Sequence, residues 1–132
     1  MWEVYGCKYP VSATCAVRLT KSEGKKIYKS AMTFALKPGC YEEYKRAHDE
    51  LWPDIADALR ENGVSMVIHY YNDRLFLFAT APSQEAMEQS HAGEVMTRWQ
   101  AYMATLMVTD AEGKTLVEPL ENAFVFGDFA EA

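Results

Sequence analysis

Long apolar runs, surplus positive charge, paired cysteines and glycine-rich loops are all scarce in this chain, and each scarcity removes a class of function. No stretch approaches the roughly 18 apolar residues that a membrane-spanning helix needs. The segment MWEVYGCKYPVSATCAVRL at the N-terminus lacks the basic flank and continuous apolar core of a signal peptide. Thirteen basic residues face 19 acidic ones, for a formal charge of −6. Outside the Lys21 to Lys26 turn they are scattered, so neither nucleic acid nor an anionic membrane is expected as a partner. Cys7, Cys15 and Cys40 form no C-x-x-C pair, which argues against a disulfide framework or a structural zinc and suits a reducing cytoplasm. The seven glycines include no G-x-x-x-x-G-K cradle, and no serine sits in a nucleophile elbow. The three histidines make no close H-x-x-x-H pair, so metal binding is not expected.

What remains is apolar and patterned. With 132 residues, 49% of them hydrophobic, the chain suits one small core that would gain from a partner subunit. SATCAVRLT and KKIYKSAMTFAL both read as strands joined by a polar turn ending in glycine, a hairpin-like N-terminal extension over residues 1–30. A helix is expected from about Cys40 to Asn62, with a kink or break near Asp49 to Trp52 because Pro53 lacks an N–H and crowds the preceding turn. Gly63 then stops it. VSMVIHYYNDRLFLFAT reads as a hairpin about Asn72-Asp73, whose residues tolerate positive φ. Ser83 caps a second helical stretch, interrupted at SHAG and resumed through EVMTRWQAYMATLM, and LENAFVF supplies the last strand. From Ala31 onward the order is therefore β-α-β-β-α-β, an α+β ferredoxin-like domain over residues 31–132 with helices on one face of an antiparallel sheet. In RLFLFAT the side chains of both faces are apolar, so a second subunit is expected on the face the helices leave open.

On the first helix, Tyr44, His48 and Trp52 recur every four residues, beside Leu51, Ile55 and Leu59. An aromatic core stripe would look the same. Yet Tyr44 and His48 lie one turn apart, so their polar tips can converge on one small ligand. Imidazole is the side chain that both gives and takes protons near neutral pH. Trp99, Tyr102 and Met103 in TRWQAYM read alone as core. His69 shares a strand face with Val67 and Tyr71 and reads as half-buried and hydrogen-bonded, whereas His91 reads as a solvated loop residue.

PGCYEEYKRAHDELWPDI, Pro38 to Ile55, resembles the signature of the L-rhamnose mutarotases, with Glu43-Tyr44, His48 and Trp52-Pro53 in register. The likeness continues through Gly63, the strand pair and RWQAYM, spanning about Ala31 to Phe126. It implies a dimeric α+β barrel of two ferredoxin-like units packed sheet to sheet. The implied enzyme is an isomerase that interconverts the α and β anomers of a 6-deoxy-hexopyranose without cofactor or metal. The resemblance casts His48 as proton donor, Tyr44 as a substrate-contacting group that orients a hydroxyl, and Trp99 as a wall against the sugar. Trp52 is expected to support His48. Gln100 replaces the family's second tryptophan. A strand tyrosine of the family falls on Met66 or Val67, with Tyr70 or His69 as its possible substitutes. The family's late loop becomes TDAEGKTL, and residues 1–30 have no counterpart. Two other readings share this fold: a haem-binding protein or small oxygenase, and a sugar-binding module without catalysis.

Overall fold

The computed structural model describes residues 27–130. Most of the expected N-terminal hairpin therefore lies outside the described residues. Strand β1 (Tyr28–Ala35) pairs antiparallel with β3 (Arg74–Ala81), from Tyr28↔Ala81 to Ala35↔Arg74. β3 pairs in turn with β2 (Ser65–Tyr71), from Ser65↔Thr80 to Tyr71↔Arg74. A short β4 (Val117–Pro119) pairs with the other side of β1, giving the sheet order β2-β3-β1-β4. Asn72 and Asp73 close the β2–β3 hairpin at φ 51° and 59°, the left-handed pair that matches the twist of a two-residue connection.

The first helical stretch is two helices, α1 (Tyr41–Asp49) and α2 (Pro53–Glu61). Pro53 occupies the first turn of α2, where its missing N–H costs nothing, and the chain is extended at Trp52. The break is thus where proline predicts it. α3 (Gln84–Ser90) opens with the Ser83 side chain accepting from the Ala86 N–H, and α4 (Glu94–Ala104) follows the SHAG interruption.

All four helices share one face of the sheet. Phe34, Leu36 and Leu75 meet Tyr44 and Ala47 of α1, Ile55 of α2, and Met96, Trp99 and Met103 of α4. Leu75 is almost completely buried, and burial of a side chain of that size contributes about 1.5–3 kcal/mol. The opposite face carries Val67 across from Phe78, His69 across from Phe76, and Tyr71 across from Arg74. Val67 and Tyr71 are exposed there, 43% and 68%. Arg74 fastens that side by donating to Thr33 Oγ1 at 2.9 Å and pairing with Glu118, which ties β3, β1 and β4 together.

The last strand is not where its apolar pattern put it. β4 ends at Pro119, and although the Leu120 N–H still donates to Ala31 O at 2.9 Å, Glu121 to Phe126 find no strand neighbour among the described residues. Continued in register, Phe124 to Phe126 run past Tyr28, the first residue of β1. Glu121 to Ala123 would fall beside Ser30 to Tyr28 of β1 but do not pair with them. Among the described residues, no helix is long and apolar enough to cross a membrane.

Candidate active site

Between α1, the end of α2 and the helix-facing side of β2 lies a cleft of about 540 Å³. α1 supplies most of its floor because Tyr41, Tyr44, Lys45, His48 and Asp49 recur at three- and four-residue spacing on one side of the helix. β2 supplies the facing wall through alternate residues Met66, Ile68 and Tyr70. Leu51, Leu59, Val64 and Leu75 complete an apolar lining around few polar groups, the usual make-up of a small-molecule site.

His48 sits with its ring 4.3 Å from that of Tyr44. Its Nδ1 lies 3.0 Å from the Tyr44 carbonyl oxygen. A carbonyl only accepts, so the bond requires the proton on Nδ1 and leaves Nε2 as the acceptor nitrogen of the neutral ring. Burial lowers the pKa of His48 from the ordinary imidazole value, more than its bond to the Tyr44 carbonyl and the nearby Asp49 charge raise it. The ring is therefore neutral at pH 7, with a basic nitrogen available. Burial acts oppositely on Tyr44, pushing its phenol up so that it stays protonated across the whole working range. No buried side-chain polar atom among the described residues lacks a partner. Tyr44 lines the cleft, and its hydroxyl bonds to none of the described residues.

Behind His48 the aromatics stand edge to face. Trp99 packs its ring 5.2 Å from His48 at 74°, and Trp52 meets Trp99 at 5.1 Å and 78°. Trp52 thus packs on Trp99, which packs on His48. Trp99 is buried, so it braces the imidazole and does not line the cleft. Tyr102 extends this cluster and donates to Glu43 Oε2 at 3.1 Å, joining α4 to α1. Gln100 is exposed on α4 and also stands outside the cleft lining.

The two candidate substitutes for the strand tyrosine separate. Tyr70 is on the cleft side, stacked on Tyr41 with centroids 3.7 Å apart and 18° between planes, while its hydroxyl donates to Asp73. His69 is exposed on the opposite sheet face, neither half-buried nor hydrogen-bonded to any described residue. The same parity places Met66, and not Val67, in the cleft. His91 is exposed at the end of α3, its Nδ1 near Met87 O and Ser90 Oγ. Tyr41 and the Lys45–Asp49 ion pair at the rim, 2.9 Å apart, were not singled out from the sequence. Their spacing from His48 was the available signal, with Tyr41 two turns before it and Lys45 and Asp49 on the same side. Among the described residues, no three His, Cys, Asp or Glu side chains gather as metal ligands.

A neutral base beside a protonated phenol, under a wall of stacked rings, suits proton transfer on an uncharged, ring-shaped substrate. Comparison with known proteins agrees. The sequence model of L-rhamnose mutarotase matches residues 29–126. A protein named L-rhamnose mutarotase from Burkholderia orbicola (strain MC0-3) is 39% identical over 97 residues, covering 71% of this chain and 93% of its own. One of the same name from Verminephrobacter eiseniae (strain EF01-2) is 39% identical over 99 residues, 73% of this chain and 93% of its own. Among solved structures, an L-rhamnose mutarotase from Formosa agariphila superposes with a TM-score of 0.63 at 28% identity, over 75% of this chain and 98% of that one. Rv0793 from Mycobacterium tuberculosis, at 16% identity, shares the fold alone, with a TM-score of 0.54 over 76% of this chain and 98% of that one.

Proposed function

Because the chain belongs to the L-rhamnose mutarotase family, we propose that it interconverts the α and β anomers of L-rhamnose by proton transfer at His48. The observation that carries the reading is the pairing of a neutral, tautomer-fixed His48 with the protonated Tyr44 hydroxyl in one apolar cleft.

Opening a pyranose breaks the C1–O5 bond, makes C1 a carbonyl, removes the proton from the anomeric oxygen O1 and places one on O5. Both oxygens sit on C1, so one nitrogen can serve both. His48 Nε2 takes the O1 proton as the ring opens, and the resulting imidazolium delivers it to O5. Rotation about C1–C2 and the reverse transfers close the other anomer. This adds an accepting step before the donation that the family resemblance implies for His48. The Tyr44 hydroxyl donates a hydrogen bond to a sugar oxygen and keeps it oriented. The flat Tyr41–Tyr70 pair faces the apolar side of the pyranose, and Lys45 and Asp49 at the rim meet its hydroxyls. Trp99 and Trp52 hold the imidazole from behind.

A homodimer is part of the proposal. Val67 and Tyr71 are exposed on the sheet face that the helices leave open, and a second copy packed sheet to sheet would cover them. The haem and oxygenase readings rested on fold, which the distant Rv0793 shares, whereas the relatives above 30% identity bear the mutarotase name.

Saturation-transfer NMR between the anomers of L-rhamnose tests the reading. Acceleration by the wild-type protein that His48→Ala loses would support it. Sugar binding without accelerated exchange would replace it with a binding module, and neither effect on any 6-deoxy-hexose would sink it.

A further inference from the structure

The proton-transfer steps leave one polar contact near His48 unused. Tyr102 reads from the sequence as core packing, yet only its ring joins the core: its hydroxyl leaves the aromatic cluster of α4 and donates to Glu43 Oε2 on α1 at 3.1 Å. Among the described residues this is the one hydrogen bond between the two helices. Its acceptor is a carboxylate, so the bond is charge-assisted and stronger than one between neutral groups. Desolvation first, and then the bond to Glu43 and its charge, push the Tyr102 phenol up more than the nearby Arg46 lowers it, so Tyr102 stays a donor wherever His48 works as a base. Neither Tyr102 nor Glu43 lines the cleft.

Both ends of that bond lead to His48. On the α4 side, Tyr102 closes a triangle of rings, 6.2 Å from Trp52 and 6.1 Å from Trp99, and Trp99 stands edge to face against the imidazole. On the α1 side, Glu43 directly precedes Tyr44, whose carbonyl oxygen holds the His48 Nδ1 proton. Ring contacts stay favourable over centroid separations of roughly 4.5–7 Å, so they hold two helices together while tolerating a small slide or roll. A hydrogen bond is far less tolerant of length and angle. The approach to α1 is already pinned where the Lys37 N–H donates to Leu106 O at 2.9 Å, just past the end of α4. The Tyr102 bond to Glu43 adds a second point, and with two points fixed a roll of α1 that would carry the His48 ring off Trp99 is resisted.

We propose that Tyr102 and Glu43 are positioning residues for the proton transfer: their hydrogen bond fixes α1 against the three rings and so holds the His48 imidazole at the angle from which Nε2 meets the substrate. They act through His48 and touch no substrate themselves. A misplacement of the base by a fraction of an ångström slows proton transfer without changing how the sugar binds. The inference rests on the mutarotase reading for its rate measurements, and it has a second readout in the His48 ring that does not.

Anomer exchange on L-rhamnose in a small set of variants tests it. Tyr102→Phe keeps the ring and loses the hydroxyl, Glu43→Ala loses the acceptor, and Glu43→Gln loses the charge but keeps an acceptor oxygen. Tyr102→Phe and Glu43→Ala should each lower kcat roughly three- to tenfold, with KM changed by less than about twofold, as for one hydrogen bond that orients the base and binds no substrate. The double variant Tyr102→Phe/Glu43→Ala should lose no more than either single one, because the two groups act as a unit. Glu43→Gln should recover most of the rate. A bond that serves stability alone would lower the urea midpoints and leave kcat at the wild-type value, and that result would overturn the proposal. So would losses that multiply in the double variant, or a Glu43→Gln as slow as Glu43→Ala, which would assign the effect to charge. Nitrogen-15 NMR of the His48 ring supplies the second readout. The wild-type protein should show one tautomer, protonated at Nδ1, and Tyr102→Phe should shift or broaden those signals; unchanged signals would remove the positioning role. If they change in Tyr102→Phe while the wild-type protein accelerates no sugar, the mutarotase reading falls and the positioning of His48 stands.

Discussion

At the scale of single residues, the site depends on how burial treats two ionisable groups in opposite ways. Removing His48 from water disfavours its cation, and removing Tyr44 disfavours its anion, so both are neutral at pH 7, forms in which an imidazole can accept a proton and a phenol can donate a hydrogen bond. Activity should therefore rise with pH through an inflection below the ordinary imidazole value of about 6.5 and stay level well into the alkaline range, because Tyr44 does not ionise there. A pH profile of kcat/KM that falls as pH rises past 7 would contradict His48 as the initial base. His48→Ala should lower exchange by roughly 10²–10⁴-fold, the range general acid–base groups contribute, with the thermal transition little changed. Tyr44→Phe keeps the ring that packs on His48 and removes only the hydroxyl. Loss of one oriented hydrogen bond predicts a drop of roughly tenfold in kcat/KM.

Elements hold these residues through a few local decisions. Pro53 ends one helix and begins another, which turns Trp52 toward Trp99 and so sets the back wall of His48. Gly63 makes the turn into β2 at φ 69°, and a Cβ there would stand 3.0 Å from the Pro82 side chain. Gly63→Ala therefore meets both left-handed strain and crowding, and should destabilise the protein by about 1–2 kcal/mol, read as a lowered urea midpoint. Ser83→Ala removes the cap of α3 and should cost about 1 kcal/mol by the same measurement, without altering anomer exchange, since α3 lies away from the cleft. Equal losses of activity and stability in the Ser83 variant would place α3 closer to function than the fold does.

For the whole molecule, the question is what covers the open sheet face. Val67 and Tyr71 carry side chains that an isolated sheet would leave wet, next to the partly covered Phe76 and Phe78. A charge placed there should oppose packing of a second copy. Val67→Asp is expected to shift the mass by light scattering from two chains toward one at micromolar concentration, while far-UV circular dichroism stays native. A stable dimer in that variant would move the interface elsewhere.

Order and type of the elements were legible in the sequence because they rest on local physics. Proline and glycine punctuate, Asn-Asp turns back, and apolar residues recur at the period of the structure they will join. Tyr44 and His48 were legible for the same reason, since one helical turn fixes their separation whatever surrounds them. What the tertiary structure decided involves residues distant in the chain. Strand parity across β2 and β3 put Tyr70 and Met66 in the cleft and His69 behind the sheet, a choice that one residue of slip would reverse. Packing of α4 against α1 buried Trp99 against His48, as its sequence neighbourhood alone suggested, where the family resemblance implied a wall against the sugar. And LENAFVF, apolar enough to be a strand, is none among the described residues, because strand formation requires backbone pairing with a neighbour, which a segment's own composition does not decide.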